Sequence, residues 1–458
     1  MGISMQVLGL IAGLSLLVFV HELGHYFFAR LFKTRVEKFY LFFNIGFSLL
    51  RMKKIDGKWQ FSFLSSSAPE EWKTHPDATE WGLGWLPLGG YCSVAGMVDE
   101  TKSASDLASE PQPWEFRTKP AWQRFFIMVG GVLMNAITAI VIYIAIMFTW
   151  GKEYVPLENA KYGLAFSDAA QYAGFKNGDK IVSVDGTMPN TVNDFVKKLL
   201  VDNPKEVVVS RNNQLITLQL KEDDWKKLLG GQPFCSFAFP FVIEDVQLGY
   251  PAAQAGLVKG DSLVGLDTLP IYLFSDFQEE FRYAKNKEVA VHFYRDGDLQ
   301  TVSLCVNEEG KIGVIVVSMD KYLQTVTEKY GFLKSIPAGV KEGINTLTFY
   351  VKQLKRIFTK EGATQVGGFI AIGKFYPSTW DWEHFWSITA FLSVIFAFMN
   401  IIPIPALDGG YILFIVLELI TRRKFSDKFI GYANTVGFVL LITLLLWANG
   451  MDVFRLFK

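Results

Sequence analysis

The sequence predicts a multi-pass α-helical membrane protein with four transmembrane helices and a duplicated α+β insert between helices two and three. Of the 458 residues, 50% are hydrophobic, 15% aromatic and only 20% charged. A mean hydropathy of +0.23 in a chain with long polar stretches requires the apolar residues to be clustered. Four windows do cluster them: Met5 to Leu31, Phe125 to Trp150, Phe385 to Leu407 and Phe429 to Trp447. Each is long enough, at about 1.5 Å per residue, to cross roughly 30 Å of hydrocarbon. Between the second and third windows lie more than 200 residues with strand-like alternation and an internal repeat. Forty-five basic residues balance forty-five acidic ones, which gives no reason to expect a nucleic-acid partner. Three cysteines, Cys92, Cys235 and Cys305, are too few for a disulfide scaffold and are expected to pack as small apolar residues.

The first window is read as a retained span. No basic residue precedes it, no small-residue cleavage site ends it, and the charged pentapeptide HELGH lies inside it. Orientation follows from the Lys and Arg residues crowding certain ends: Arg30, Lys33, Arg35 and Lys38 after the first span, Arg117, Lys119 and Arg124 before the second, and Arg422, Arg423 and Lys424 between the third and fourth. Those loops are expected on the cytoplasmic side, and the insert on the opposite side. Within the insert, Ala173, Gly174, Gly178, Asp179 and Asp185 align with Ala255, Gly256, Gly260, Asp261 and Asp267 at a constant offset of 82 residues, 256 minus 174. This is a duplication. The shared pattern, AG, then GD, then an apolar strand ending at Asp, resembles PDZ domains of the bacterial protease type, placed at 157–228 and 236–320. Residues 333–358 mix apolar side chains with Lys341, Lys352, Lys355 and Arg356, as an interfacial amphipathic helix does.

The chemistry concentrates in the first span. His21, Glu22 and His25 form H-E-x-x-H, and on a helix positions i and i+4 share a face. Two imidazoles there can hold one zinc ion, with Glu22 beside a metal-bound water as general base. A chance match on a surface helix is the competing reading. It weakens inside an apolar span, where each ionisable group costs at least about 2.5 kcal/mol unless partnered. Catalytic zinc usually takes three protein ligands, and the end of the third span, NIIPIPALDGG, offers Asp408 as the third. His21 lies 16 residues, ~24 Å, into its span, and Asp408 23 residues, ~35 Å, from Phe385. Pro403 and Pro405 must break that helix, which brings the two depths closer and makes the stretch extended and water-accessible. The alternative for Asp408 is a capping or turn residue in D-G-G.

HELGH in a first span with NIIPIPALDGG in a later one resembles the site-2 protease family of intramembrane zinc metalloproteases. The resemblance covers nearly the whole chain. FNIGFSLLRM and WLPLGGYCSVAGM are similar to the family's membrane-reentrant β-hairpin region. In WEFRTKPAWQRFFIMVGGVLMNA, Asn135 matches a family asparagine. Two departures stand out: the family's G-P-x-x-N appears as GGVLMN, and Tyr411 follows LDGG where some relatives carry His. The resemblance implies a protease core in 1–150 and 385–458 around one zinc ion, held by His21, His25 and Asp408, with Glu22 catalytic. It implies a bacterial inner-membrane protein with periplasmic PDZ-like domains. Its substrate would be the transmembrane helix of a single-pass protein trimmed by a first protease, such as an anti-sigma factor or a signal-peptide remnant.

A helical substrate satisfies its own backbone hydrogen bonds, so it must be unwound before cleavage. The Gly-rich segment from Gly82 to Gly96, with Gly89 and Gly90, could present an edge strand to the extended peptide. Asn400, by family analogy, would bond the opened backbone, its alternative being helix packing, and Asn135 is placed in the same substrate-binding group. The PDZ-like pair is either a peptide-capture module or a size filter. An inactive scaffold is a further reading, opposed by the complete His21, Glu22, His25 and Asp408 set, and a transporter is opposed by the absence of inverted repeats. The polar stretch from Asp56 to Glu80 has no functional role in this reading.

Overall fold

The computed structural model describes residues 2–97, 110–199, 204–220, 233–357 and 367–456. The chain divides into two compact units, Met1–Gly151 with Lys329–Lys458, and Lys152–Glu328. The first unit holds α1 (Gly2–Leu31), five strands, β1 (Val36–Phe43), β2 (Ser48–Ile55), β3 (Lys58–Ser65), β4 (Glu80–Leu83) and β5 (Leu86–Val94), then α2 (Ala121–Thr149), α3 (Phe332–Ile357), α4 (Phe369–Gly373), α5 (Trp382–Ile401), α6 (Asp408–Thr421) and α7 (Asp427–Leu456).

Among the described residues, four helices are long and apolar enough to cross a membrane: Ser4–Leu31, Ala121–Thr149, Trp382–Ile401 and Lys428–Phe454. They fall on the four expected windows, with shifted ends. The second helix starts at Ala121, directly after Pro120, whose fixed φ suits a helix entrance. The third starts at Trp382 because the Asp381 carboxylate accepts the His384 amide at 3.0 Å, an N-cap. That helix was expected to run to Leu407 but stops at Ile401. Pro403 and Pro405 cannot continue it, residues 402–407 are irregular, and Ala406 takes a φ of +73°. A separate helix, α6, then opens at Asp408, where the sequence reading placed only the end of a span.

The five strands form one sheet in the order β3-β2-β4-β1-β5, with β1 and β4 parallel and the other pairs antiparallel. One face packs on α1 through Phe39, whose ring meets Phe19 and Tyr26 edge-on. On the other face Arg51 pairs with Glu80 at 2.8 Å, and Tyr40 donates to the same carboxylate. The polar stretch from Asp56 to Glu80 belongs to this sheet. It supplies β3 and a loop anchored by the buried Trp72, whose indole donates to Gln60 and whose carbonyl accepts from Lys53 at 2.9 Å. The expected amphipathic helix is α3; residue 358 lies outside the described residues. It packs along α2, with Tyr143 and Thr346 hydroxyls 3.1 Å apart and Gly339 set against the Ile144 backbone.

In the second unit the duplication appears in three dimensions. Each copy runs strand, short helix, strand, helix, antiparallel hairpin and closing strand. In the first copy Leu164–Phe166 pairs with Cys235–Phe237, and in the second Ile243–Val246 pairs with Val314–Val316. The same lock closes both. Arg211 holds the fully buried Asp179 through two nitrogens and the Gly174 carbonyl at 2.9 Å, and Arg295 holds Asp261 and the Gly256 carbonyl in the same way. The expected boundary at 236 is corrected, since it cuts Cys235–Phe237, which belongs to the first copy, with Phe234 and Cys235 in its core. The expected end at 228 lies outside the described residues. Cys235 is buried as expected, but Cys305 is exposed, because it sits on the outward face of its strand.

Candidate metal centre

The centre begins with two helices in close contact. Gly24 of α1 and Gly130 of α2 touch backbone to backbone, and a Cβ on Gly24 would lie 2.2 Å from the Gly130 carbonyl oxygen. Small residues let membrane helices approach in this way. The next residue, Gly131, faces the two imidazoles, and a Cβ there would lie 2.5 Å from Nε2 of His25 and 2.6 Å from Cε1 of His21. One turn apart on α1, the rings stand edge to face with their Nε2 atoms 3.2 Å apart.

The break after α5 brings in the third group. Asp408 is the first residue of α6, and its Oδ2 lies 3.1 Å from Nε2 of His21 and 3.4 Å from Nε2 of His25. Gly409 and Gly410 are needed where they stand, because a Cβ on either would meet the Ile402 or Ile404 carbonyl oxygen at 2.1 or 2.7 Å. The irregular segment thus folds back onto the start of α6 and aims Asp408 at the histidines. All three side chains are 15% exposed or less.

Two imidazole nitrogens and one carboxylate oxygen within 4.8 Å of one another are a donor set that suits zinc. Asp408 Oδ2 is buried and accepts no hydrogen bond, although a lone carboxylate oxygen is costly in such a place. Around this group, His25 Nδ1 lies 2.8 Å from the Ile127 carbonyl oxygen, which can only accept, so Nδ1 carries a proton and the neutral ring offers Nε2 as its lone pair. The Glu22 carboxylate accepts from the Cys92 amide of β5.

A model described as peptidase family M50 matches residues 9–444. The chain belongs to peptidase family M50. M50 membership makes it a zinc-dependent metalloprotease of the membrane. Relatives run end to end with it. A Ralstonia nicotianae protein named, by inference, a zinc metalloprotease is 24% identical over 99% of both chains. The regulator of sigma E protease of Haemophilus influenzae is 26% identical over 97% of this chain and 98% of its own. A Thermotoga maritima protein, also named by inference as a zinc metalloprotease, is 23% identical over 96% and 97%.

The structure brings together His21, Glu22, His25, Asp408 and Asn135. Asn135, expected among the substrate-binding residues, is fully buried with its amide against His21. Gly89 and Gly90 lie in β5, which ends the sheet. A Cβ on Gly90 would meet Val18 of α1 at 2.8 Å, so its size serves packing beside the M50 site. Asn400 is partly exposed, one residue before α5 ends. Sequence reasoning missed Gly131 and the amide and carbonyl of Cys92 and Ile127. The GG of GGVLMN was the available signal for the first; backbone groups leave none.

Proposed function

We propose that this M50 protease hydrolyses a peptide bond within the transmembrane segment of a single-pass membrane protein, using His21, His25 and Asp408 as zinc ligands and Glu22 as the proton carrier. The observation that supports it most is the convergence of three ligand atoms from α1 and α6, where a helix of membrane length breaks. When bound, zinc supplies Lewis acidity to the water and to the scissile carbonyl. Glu22, adjoining His21 and held by the Cys92 amide, takes the proton of the attacking water and passes it to the leaving nitrogen. The β5 edge accepts the unwound substrate as an added strand, and Asn400 bonds its opened backbone. Such irregular backbone is tolerated at membrane depth where it lines protein or water, and a hydrolase needs both there.

The protein is read as lying in a bacterial inner membrane, with the PDZ-like pair in the periplasm acting as a size filter on trimmed substrates such as an anti-sigma factor or a signal-peptide remnant. Cleavage of a single-pass model peptide in proteoliposomes tests the reading. Zinc-dependent cleavage inside the apolar segment is expected; cleavage confined to residues outside it would refute it.

A further inference from the structure

Two imidazoles that share one ion through Nε2 must each carry their proton on Nδ1. For His25 the Ile127 carbonyl enforces this. For His21 the group at Nδ1 is the side-chain amide of Asn135, with Nδ2 placed 3.3 Å away and Oδ1 buried without a partner. An amide can present either atom, since the two differ only by a half-turn of the group. With Nδ2 turned to His21, Nδ1 accepts and the proton moves to Nε2, toward Asp408. With Oδ1 turned to His21, Nδ1–H donates and Nε2 is bare.

We propose that Asn135 is a positioning residue that sets the tautomer of His21, its side-chain oxygen taking the Nδ1 proton in a bond that leaves Nε2 for the metal. The inference rests on the metal-centre reading above and replaces the substrate-binding role once expected of this residue. Three further facts support it. Asn135 has no exposed surface. Its own turn of α2 is pinned to α5 by Ser393, whose hydroxyl donates to the Asn135 carbonyl at 2.7 Å. The Nε2 atoms of His21 and His25 both lie within 3.4 Å of Asp408 Oδ2, so an ion held by all three needs Nε2 of His21 bare.

The test uses full-length protein in detergent, with the zinc dissociation constant read by competition with a chromophoric chelator. Asn135→Leu, which keeps the volume and removes the amide, should weaken zinc binding by about 10–100-fold. Asn135→Asp, which offers acceptors and no donor, should restore it close to wild type. Wild-type affinity in Asn135→Leu, or an Asn135→Asp variant as weak as Asn135→Leu, overturns the proposal. A measurement on the unmodified chain stands apart from variant folding: nitrogen-15 spectra of histidine-labelled, zinc-loaded protein should show a proton on Nδ1 of His21. A bare Nδ1 there refutes the role even if every variant unfolds. His21→Ala separates the two levels, because if it leaves zinc binding unchanged the metal centre itself is misread, whereas loss in His21→Ala with none in Asn135→Leu removes this inference alone.

Discussion

Adding one methyl group at Gly131 should disable the protease without replacing a proposed ligand. An ideal Cβ at that position lies 2.5 Å from Nε2 of His25, and 2.6 and 2.8 Å from Cε1 and Nδ1 of His21. Comfortable contact is about 3.5–4.0 Å, so both rings would have to retreat by roughly 1 Å. Zinc donor distances tolerate only about 0.2 Å. A misplacement of about 1 Å in a catalytic group costs on the order of 100-fold in rate. Gly131→Ala should therefore lose zinc to a competing chelator more readily than wild type and cleave a model transmembrane peptide about 100-fold more slowly. The fold itself should persist, since overpacking by one methyl costs about 1–3 kcal/mol. Gly130→Ala is the matched control. Its Cβ meets the Gly24 carbonyl oxygen and the Phe28 ring, both at 2.7 Å, so it strains the helix seam and should lower thermal stability. Zinc content, peptide cleavage and melting of both variants decide the matter. A Gly131→Ala protein with wild-type zinc affinity and rate would refute the claim that the glycine makes room for the two ligands.

The proposed ligands all belong to the first unit, and the two ends of the insert meet in a short antiparallel pair, Val326 with Tyr154, so replacing 152–328 by a flexible linker should leave zinc stoichiometry unchanged; loss of zinc on metal analysis would contradict that modularity. Replacing Arg211 by Leu leaves the fully buried Asp179 carboxylate without its counter-ion, and the insert should then unfold several degrees lower in a thermal scan. Burial pushes the Cys235 thiol up to about 12 from 9.0. Because the folded state holds that proton more tightly than the unfolded chain, the stability it brings is whole below pH 9 and is lost as pH rises toward 12. The melting temperature of wild type should accordingly fall more steeply over that range than that of Cys235→Ala, and parallel curves would contradict the burial argument.

What could be read from the chain divides along physical lines. Long apolar windows need no partner to be recognised, so the four membrane-length helices were legible, and so was the i, i+4 pair His21 and His25. Asp408 was legible as a candidate to join the two histidines, because a carboxylate in an apolar run needs a reason to be there. The second helix it opens was not, because the eight apolar residues of α6 after Tyr411 are too few to separate from the end of a span. Sheet pairing brought its own difficulty. Cys235–Phe237 adds to Leu164–Phe166 from some 70 residues away, and no local pattern tells which copy a closing strand joins. The same holds for Asp56 to Glu80, whose polar composition hides Trp72 and the Lys53 bond that fold it into the sheet. Asn135 was found by its motif, but its burial against His21 was not legible, since that follows from helix packing.

The most direct measurement pairs zinc content with turnover in Glu22→Gln. If His21, His25 and Asp408 hold the ion and Glu22 moves the proton, the purified variant should keep about one zinc per chain and cleave no transmembrane peptide, while Asp408→Ala loses both zinc and activity. A Glu22→Gln protein that loses its zinc, or that still cleaves at the wild-type rate, would contradict the assignment of ligands and base.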